Sequence, residues 1–214
     1  PPARPASQLR LRWLVWALVA LVGILAVVGI LVLGMRQTSA PAVMPQQAVI
    51  GGPAATWAAG ARPAPSFTLR DATGRAVTLA QYRGRSVLVT FLDPLCHTFC
   101  PRESLVINAV LRRLPAAQRP PVIAVNVNPP VQSPVVLNME AQRFRWLPQW
   151  RWANGTKRQL AAVWHDYDIA VLPTPGDVTH TEGVYLVDAK GNERALFLWP
   201  FTAQDVLRSY TQLR

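Results

Sequence analysis

The stretch FLDPLCHTFCPRE, residues 91–103, holds both cysteines of the chain, Cys96 and Cys100, with His97 between them and Pro101 directly after. It continues SVLVTFL (86–92), a β-branched apolar run short enough for a buried central strand. It leads into RESLVINAVLRRL, whose apolar residues at 105, 106, 107, 110, 111 and 114 predict a helix with one buried face. Pro101 suits the first turn of that helix, where a missing N–H costs nothing.

Strand, cysteine loop and helix in this order form the thioredoxin-type arrangement, and the rest of the chain extends it. SFTLRDATGRAVTL predicts two short strands around a turn at Asp71–Gly74. PVIAVNV (121–127), EGVYLVD (182–188) and RALFLW (194–199) read as further core strands, with a turn over Ala189–Asn192. SPVVLNMEAQRFRWLP is partly helical, and Gly155-Thr156 opens a helix through KRQLAAVWHDY. TAQDVLRSYTQL closes the chain as an amphipathic helix with Thr202 as N-cap. The predicted order is strand, helix, strand, helix, strand, strand, helix, an α/β domain with a mixed central sheet flanked by helices. There are no internal repeats and no glycine-rich phosphate loop.

The chain has 214 residues, 50% of them hydrophobic, which suits one membrane segment and one domain with a real core. Residues 13–33, WLVWALVALVGILAVVGILVL, carry no charge and are long enough to cross a hydrocarbon core of about 30 Å as a helix. A cleavable signal peptide has an apolar region of only about 7–15 residues, so an uncleaved anchor over 13–35 is expected. Arg4, Arg10 and Arg12 precede it and only Arg36 follows closely. The positive-inside rule then puts a short tail, 1–12, in the cytoplasm and the domain outside, in the periplasmic or extracellular space. Residues 36–63, rich in Ala, Pro and Gly, read as a tether, and 64–214 as the domain. The formal charge of +11 is scattered rather than clustered, so the pattern gives no nucleic-acid footprint.

An extracytoplasmic cysteine pair can be oxidised, or kept reduced by a partner. At a helix N-terminus the free N–H groups and the positive end of the dipole stabilise thiolate, which is both nucleophile and metal ligand. Three residues separate the cysteines, where a thioredoxin redox couple has two. Four positions make one helical turn, so both sulfurs can face one side and share a metal ion. A purely structural disulfide would close too short a loop to gain much. A soft metal held by two thiolates calls for a third ligand. Of the three histidines, His97 lies inside the loop, His165 at a helix end, and His180 just before a core strand that a thioredoxin-like fold brings beside the cysteines.

These features resemble the SCO/SenC family of copper-binding assembly factors for cytochrome c oxidase. The family has an N-terminal anchor, a tether and a thioredoxin-like domain. Its T-x-C-P-x-x-C-P loop is matched by Pro94 to Pro101. Its distal histidine before an apolar strand ending in D-x-x-G is matched by His180, VYLVD and Gly191, and its G-[ST] before a helix by Gly155-Thr156. The resemblance, over roughly 64–210, implies a copper site of Cys96, Cys100 and His180. Soft thiolates select Cu(I), and an imidazole also admits Cu(II). The implied partners are the copper-bearing subunit of cytochrome c oxidase and another copper chaperone or a thiol reductase. The chain departs from the pattern at His97, where the family has proline. It departs also at Thr98 and Phe99 before the second cysteine, at Asn128 for aspartate in V-D-P, and at Thr179 for aspartate before the histidine. These changes remove negative charge, bear on affinity and redox poise, and leave the three ligand positions intact.

Three other readings compete. A thiol–disulfide oxidoreductase would use Cys96 and Cys100 as a redox-active pair, although the proline that such enzymes carry before the adjoining strand is replaced near Glu182. A peroxidase would need Thr98 and Arg102 around a reactive cysteine. Asp93 either tunes the loop or contacts a partner, or is a plain turn residue. FRWLPQWRW (144–152) is either a docking surface or gap-filling aromatic core.

Overall fold

The computed structural model describes residues 21–23, 25, 52–174 and 177–213. The chain divides into two units, Pro1–Ala48 and Val49–Arg214. In the first, residues 21–23 and 25 are helical; the rest of the anchor expected over 13–35, the tail 1–12 and the tether up to residue 51 lie outside the described residues. Among the described residues no helix is long and apolar enough to cross a membrane.

The second unit runs β1 (Ala55–Thr56), β2 (Leu69–Arg70), β3 (Ala76–Val77), β4 (Val87–Leu92), α1 (Phe99–Arg113), β5 (Val122–Asn126), α2 (Pro134–Arg143), β6 (Trp150–Ala153), α3 (Lys157–Asp166), β7 (Val171–Thr174), β8 (Asp177–His180), β9 (Gly183–Val187), β10 (Glu193–Leu198) and α4 (Ala203–Thr211). The main sheet has the order β1-β10-β9-β4-β5-β6. β4, β5 and β6 are parallel, and β9, β10 and β1 add antiparallel neighbours. Parallel strands in the centre need both faces covered. β4 accordingly sends Leu88 and Leu92 to one core, with Ile107, Leu111 and Phe197. It sends Val87, Val89 and Phe91 to the other, with Ile123, Val163 and Tyr185. The period of two in one short run thus builds two cores.

Every predicted core strand and helix is present, and four strands, β1, β6, β7 and β8, lie beyond the predicted order. Ala55–Thr56, expected in the tether, pairs with Ala195 and Leu196, so the sheet reaches N-terminal of residue 64. Trp150–Ala153 is a parallel strand on β5. β7 and β8 form a separate antiparallel hairpin that carries His180.

The buried face of α1 also differs from the apolar stripe. Leu105 is 45% exposed, while Glu103, Ser104 and Asn108 are fully buried. The reason lies in the tryptophans. Trp146 Nε1 donates to Ser104 Oγ at 3.1 Å and Trp150 Nε1 to Asn108 Oδ1 at 2.9 Å. Polar positions on the helix satisfy indole N–H groups that would otherwise be buried unpaired.

Helix starts are specified locally. Thr156 caps α3 and Thr202 caps α4, each with a reciprocal bond from the third residue of the helix. A Cβ at Gly155 would meet Leu69 Cδ2 at 2.9 Å, so a larger residue there needs the Leu69 side chain to shift.

Candidate metal centre

The site begins where β4 ends. Asp93 turns the chain and is only 2% exposed. Its Oδ1 accepts from the Leu95 N–H at 2.9 Å and from Asn128 Nδ2 at 3.0 Å, and its carbonyl accepts from the Cys96 N–H at 3.1 Å. Asp93 is therefore the turn residue, and its burial removes it as a partner contact. Asn128, where the family carries aspartate, supplies the donor that an ionised carboxylate would lack.

α1 then starts with an unusual cap. Thr98 stands at the N-cap position but makes no capping hydrogen bond. Its Oγ1 lies instead 3.7 Å from Cys96 Sγ, and the Cys100 N–H donates to the same sulfur at 3.3 Å. The sulfur occupies the role of a capping oxygen, where the helix dipole favours negative charge. The Cys96 thiol is pulled down to about 4, first by the hydrogen bond from the Cys100 thiol and then by the backbone N–H groups of Cys100 and Thr98, against the opposing effect of burial. Cys100 is 1% exposed. Its own thiol is pushed up by the same bond to Cys96 and by burial. The pair shares one proton, with thiolate at Cys96 and thiol at Cys100.

His180 faces the pair from the end of β8. Its Nδ1 lies 3.0 Å from the Thr181 carbonyl oxygen. A carbonyl only accepts, so Nδ1 carries the ring proton and the Nε2 lone pair points away from it, 3.9 Å from Cys100 Sγ. An ion bound to sulfur at about 2.3 Å and nitrogen at about 2.0 Å would hold the two roughly 3.6 Å apart. The donor set and this spacing fit a soft metal after a small closure. Among the described residues no group of three or more His, Cys, Asp or Glu is already gathered around a point that would hold an ion.

The three residues expected as ligands thus lie side by side; the other two histidines do not join them. His97 accepts from Arg143 Nη1 at 3.2 Å, and His165 is exposed beside Asp166. Cys96, Thr98, Phe99, His180, Glu182 and Trp199 line an open groove of about 430 Å³. Arg102 is exposed on α1.

Two carboxyls near the cysteines are not among the expected site residues. Glu103, one turn after Cys100, is completely buried and pushed up to about 8, chiefly by burial. The Thr90 hydroxyl bonds its Oε1, and its Oε2 has no hydrogen-bond partner. Glu182, half-buried in the groove, is pushed up to about 7 by burial and by the Cys96 thiolate. The three-residue offset from Cys100 was the available signal for Glu103, because it places both on one helix face.

A mixed sheet that presents two cysteines at a helix head, opposite a histidine on a hairpin, defines a thioredoxin-like protein with a dithiol–imidazole site. This chain belongs to the SCO1/SenC family, whose model matches residues 57–213. Human "Protein SCO2 homolog, mitochondrial" is 30% identical over 134 residues, 58% of this chain and 50% of that protein. The chain spans about half the length of the curated relatives it matches. The structure of Bradyrhizobium japonicum ScoI with copper bound is 25% identical with a TM-score of 0.61, over 71% of this chain and 99% of that one. BsSco, a member of the Sco family of cytochrome c oxidase assembly proteins in which a disulfide switch was identified, has a TM-score of 0.60 at 20% identity, over 77% of this chain and 96% of that one, and speaks for the fold alone.

Proposed function

We propose that this protein is a membrane-anchored, extracytoplasmic copper chaperone that helps to assemble the copper centre of cytochrome c oxidase. Cys96, Cys100 and His180 hold the copper as cargo. The observation that carries the reading is the His180 ring, fixed by Thr181 so that its Nε2 lone pair faces Cys100 Sγ at 3.9 Å. Two thiolates suit Cu(I), the imidazole admits Cu(II), and family membership favours copper over zinc. Three ligands leave a position open, so an acceptor's ligand can bind before the donor's leaves. The anchor over 13–35 and the tether hold the domain beside a membrane-embedded oxidase. The acceptor is the copper-bearing oxidase subunit, and another copper chaperone or a thiol reductase prepares the site.

The unequal cysteines support a second activity, thiol–disulfide exchange. Cys96 thiolate attacks one sulfur of a partner disulfide and expels the other as thiolate. Cys100 then loses its proton to solvent and attacks Cys96 Sγ, releasing the second partner thiolate and leaving the Cys96–Cys100 disulfide. That disulfide cannot bind copper, so loading and redox state are linked.

The test is an anaerobic Cu(I) titration of the reduced full chain in detergent, against a competing chelator. One copper per chain, weakened by both Cys96→Ser and His180→Ala, is the expected result. Binding indifferent to His180→Ala sinks the three-ligand site.

A further inference from the structure

The family loop places proline directly after the first cysteine, and this chain has His97 there. A proline fixes its own φ; histidine does not. The loop nevertheless has a defined shape, and its restraint comes from outside. Arg143, the last residue of α2, spreads its guanidinium across the loop. Nη2 donates to the Cys96 carbonyl at 2.7 Å and to the Pro94 carbonyl at 3.4 Å. Nη1 donates to His97 Nδ1 at 3.2 Å. Nε pairs with the carboxylate of Glu140, which is 6% exposed, and the guanidinium carbon lies 4.7 Å over the Phe144 ring, itself buried. The side chain is therefore held at its root by buried groups while its fork grips residues 94, 96 and 97. A planar fork with fixed donor directions can make such contacts together; an ammonium cannot.

We propose that Arg143 is a positioning residue, which clamps the Pro94 and Cys96 carbonyls and the His97 ring so that Cys96 Sγ meets the Cys100 N–H and faces the groove. Arg143 touches neither sulfur. It acts through the carbonyl of Cys96 and the ring of His97. The proposal rests on the reading that Cys96 and Cys100 form the working site.

The experiment compares the full chain with Arg143→Lys, and with Arg143→Ala combined with Glu140→Gln, which avoids an unpaired buried carboxylate. Two readouts are taken: Cu(I) affinity, and the iodoacetamide alkylation rate of Cys96 at pH 6, resolved by mass spectrometry, which needs no copper. Both variants are expected to weaken Cu(I) binding about 10- to 100-fold, as loss of groups that orient ligands does, and to change the Cys96 alkylation rate while leaving the thermal midpoint of Arg143→Lys close to that of the parent. Wild-type alkylation in both variants overturns the proposal, as does an Arg143→Lys chain that matches the parent in both readouts. A parent that binds no copper, with alkylation still dependent on Arg143, would overturn the copper reading and sustain the clamp.

Discussion

The shared proton of the two cysteines makes a quantitative demand on their chemistry. With its thiol at about 4 rather than the ordinary 9.0, Cys96 is about 99% thiolate at pH 6, where an ordinary thiol is about 0.1%. That thousandfold advantage is partly cancelled, because nucleophilicity falls with basicity. A Brønsted slope of about 0.4–0.5 over five units removes about 100- to 300-fold. Cys96 should therefore alkylate only about 3- to 10-fold faster than an ordinary thiol at pH 6. By pH 8 the ordinary thiol is about 10% ionised, and the ordering reverses, with Cys96 about 10- to 30-fold slower. The assay is timed iodoacetamide labelling of the reduced chain, with a peptide of residues 91–103 as reference and the site of labelling read by mass spectrometry. The expected profile for Cys96 is flat from pH 6 to 8, with Cys100 unlabelled. A Cys96 rate that climbs tenfold per pH unit through this range would refute the shared-proton account, and with it the capping role given to its sulfur.

Two further predictions probe the surroundings of the site. Glu103 has its carboxyl raised from 4.5 to about 8 by burial; the stability linked to its proton is fully present below about pH 4.5 and is lost as pH rises toward 8, by roughly 3 kcal/mol at pH 7. Urea unfolding should therefore show Glu103→Gln gaining on the parent between pH 4.5 and 7, and a pH-independent difference would contradict this. Trp150, 5% exposed, stacks on Trp146 at 4.6 Å and donates to Asn108; Trp150→Ala should cost about 3–5 kcal/mol in urea unfolding, and a cost below about 1 kcal/mol would return the stretch to the docking reading.

How far the sequence discloses this structure differs from element to element. β4, β5 and β9 are apolar runs whose residues are all buried, so composition alone marks them, while β10 alternates buried with part-exposed positions. β6 alternates as well, with Trp150 and Trp152 buried around exposed Arg151. Its arginine and its density of tryptophan disguise that alternation as a basic aromatic surface. The β7–β8 hairpin is harder to read, because only Val171 and Val178 reach the core while Leu172, Pro173 and Thr174 are exposed, and it pairs outside the main sheet. The proximity of Cys96, Cys100 and His180 is legible because they are scarce residue types in places that a thioredoxin-like fold brings together. What tunes them is not. Arg143 lies 46 residues from His97, and no local pattern connects the two. Glu103 reads as an ordinary helix carboxylate until the packing of α1 against β4 buries it beside Thr90.

The central claim is that two sulfurs and one imidazole hold a single copper ion. X-ray absorption at the copper edge, on the anaerobically Cu(I)-loaded full chain and on its His180→Ala variant, tests it most directly. The parent should show a three-coordinate shell with two sulfurs and one imidazole nitrogen, and the variant should lose the nitrogen. A two-sulfur shell that is identical in both proteins would contradict the account.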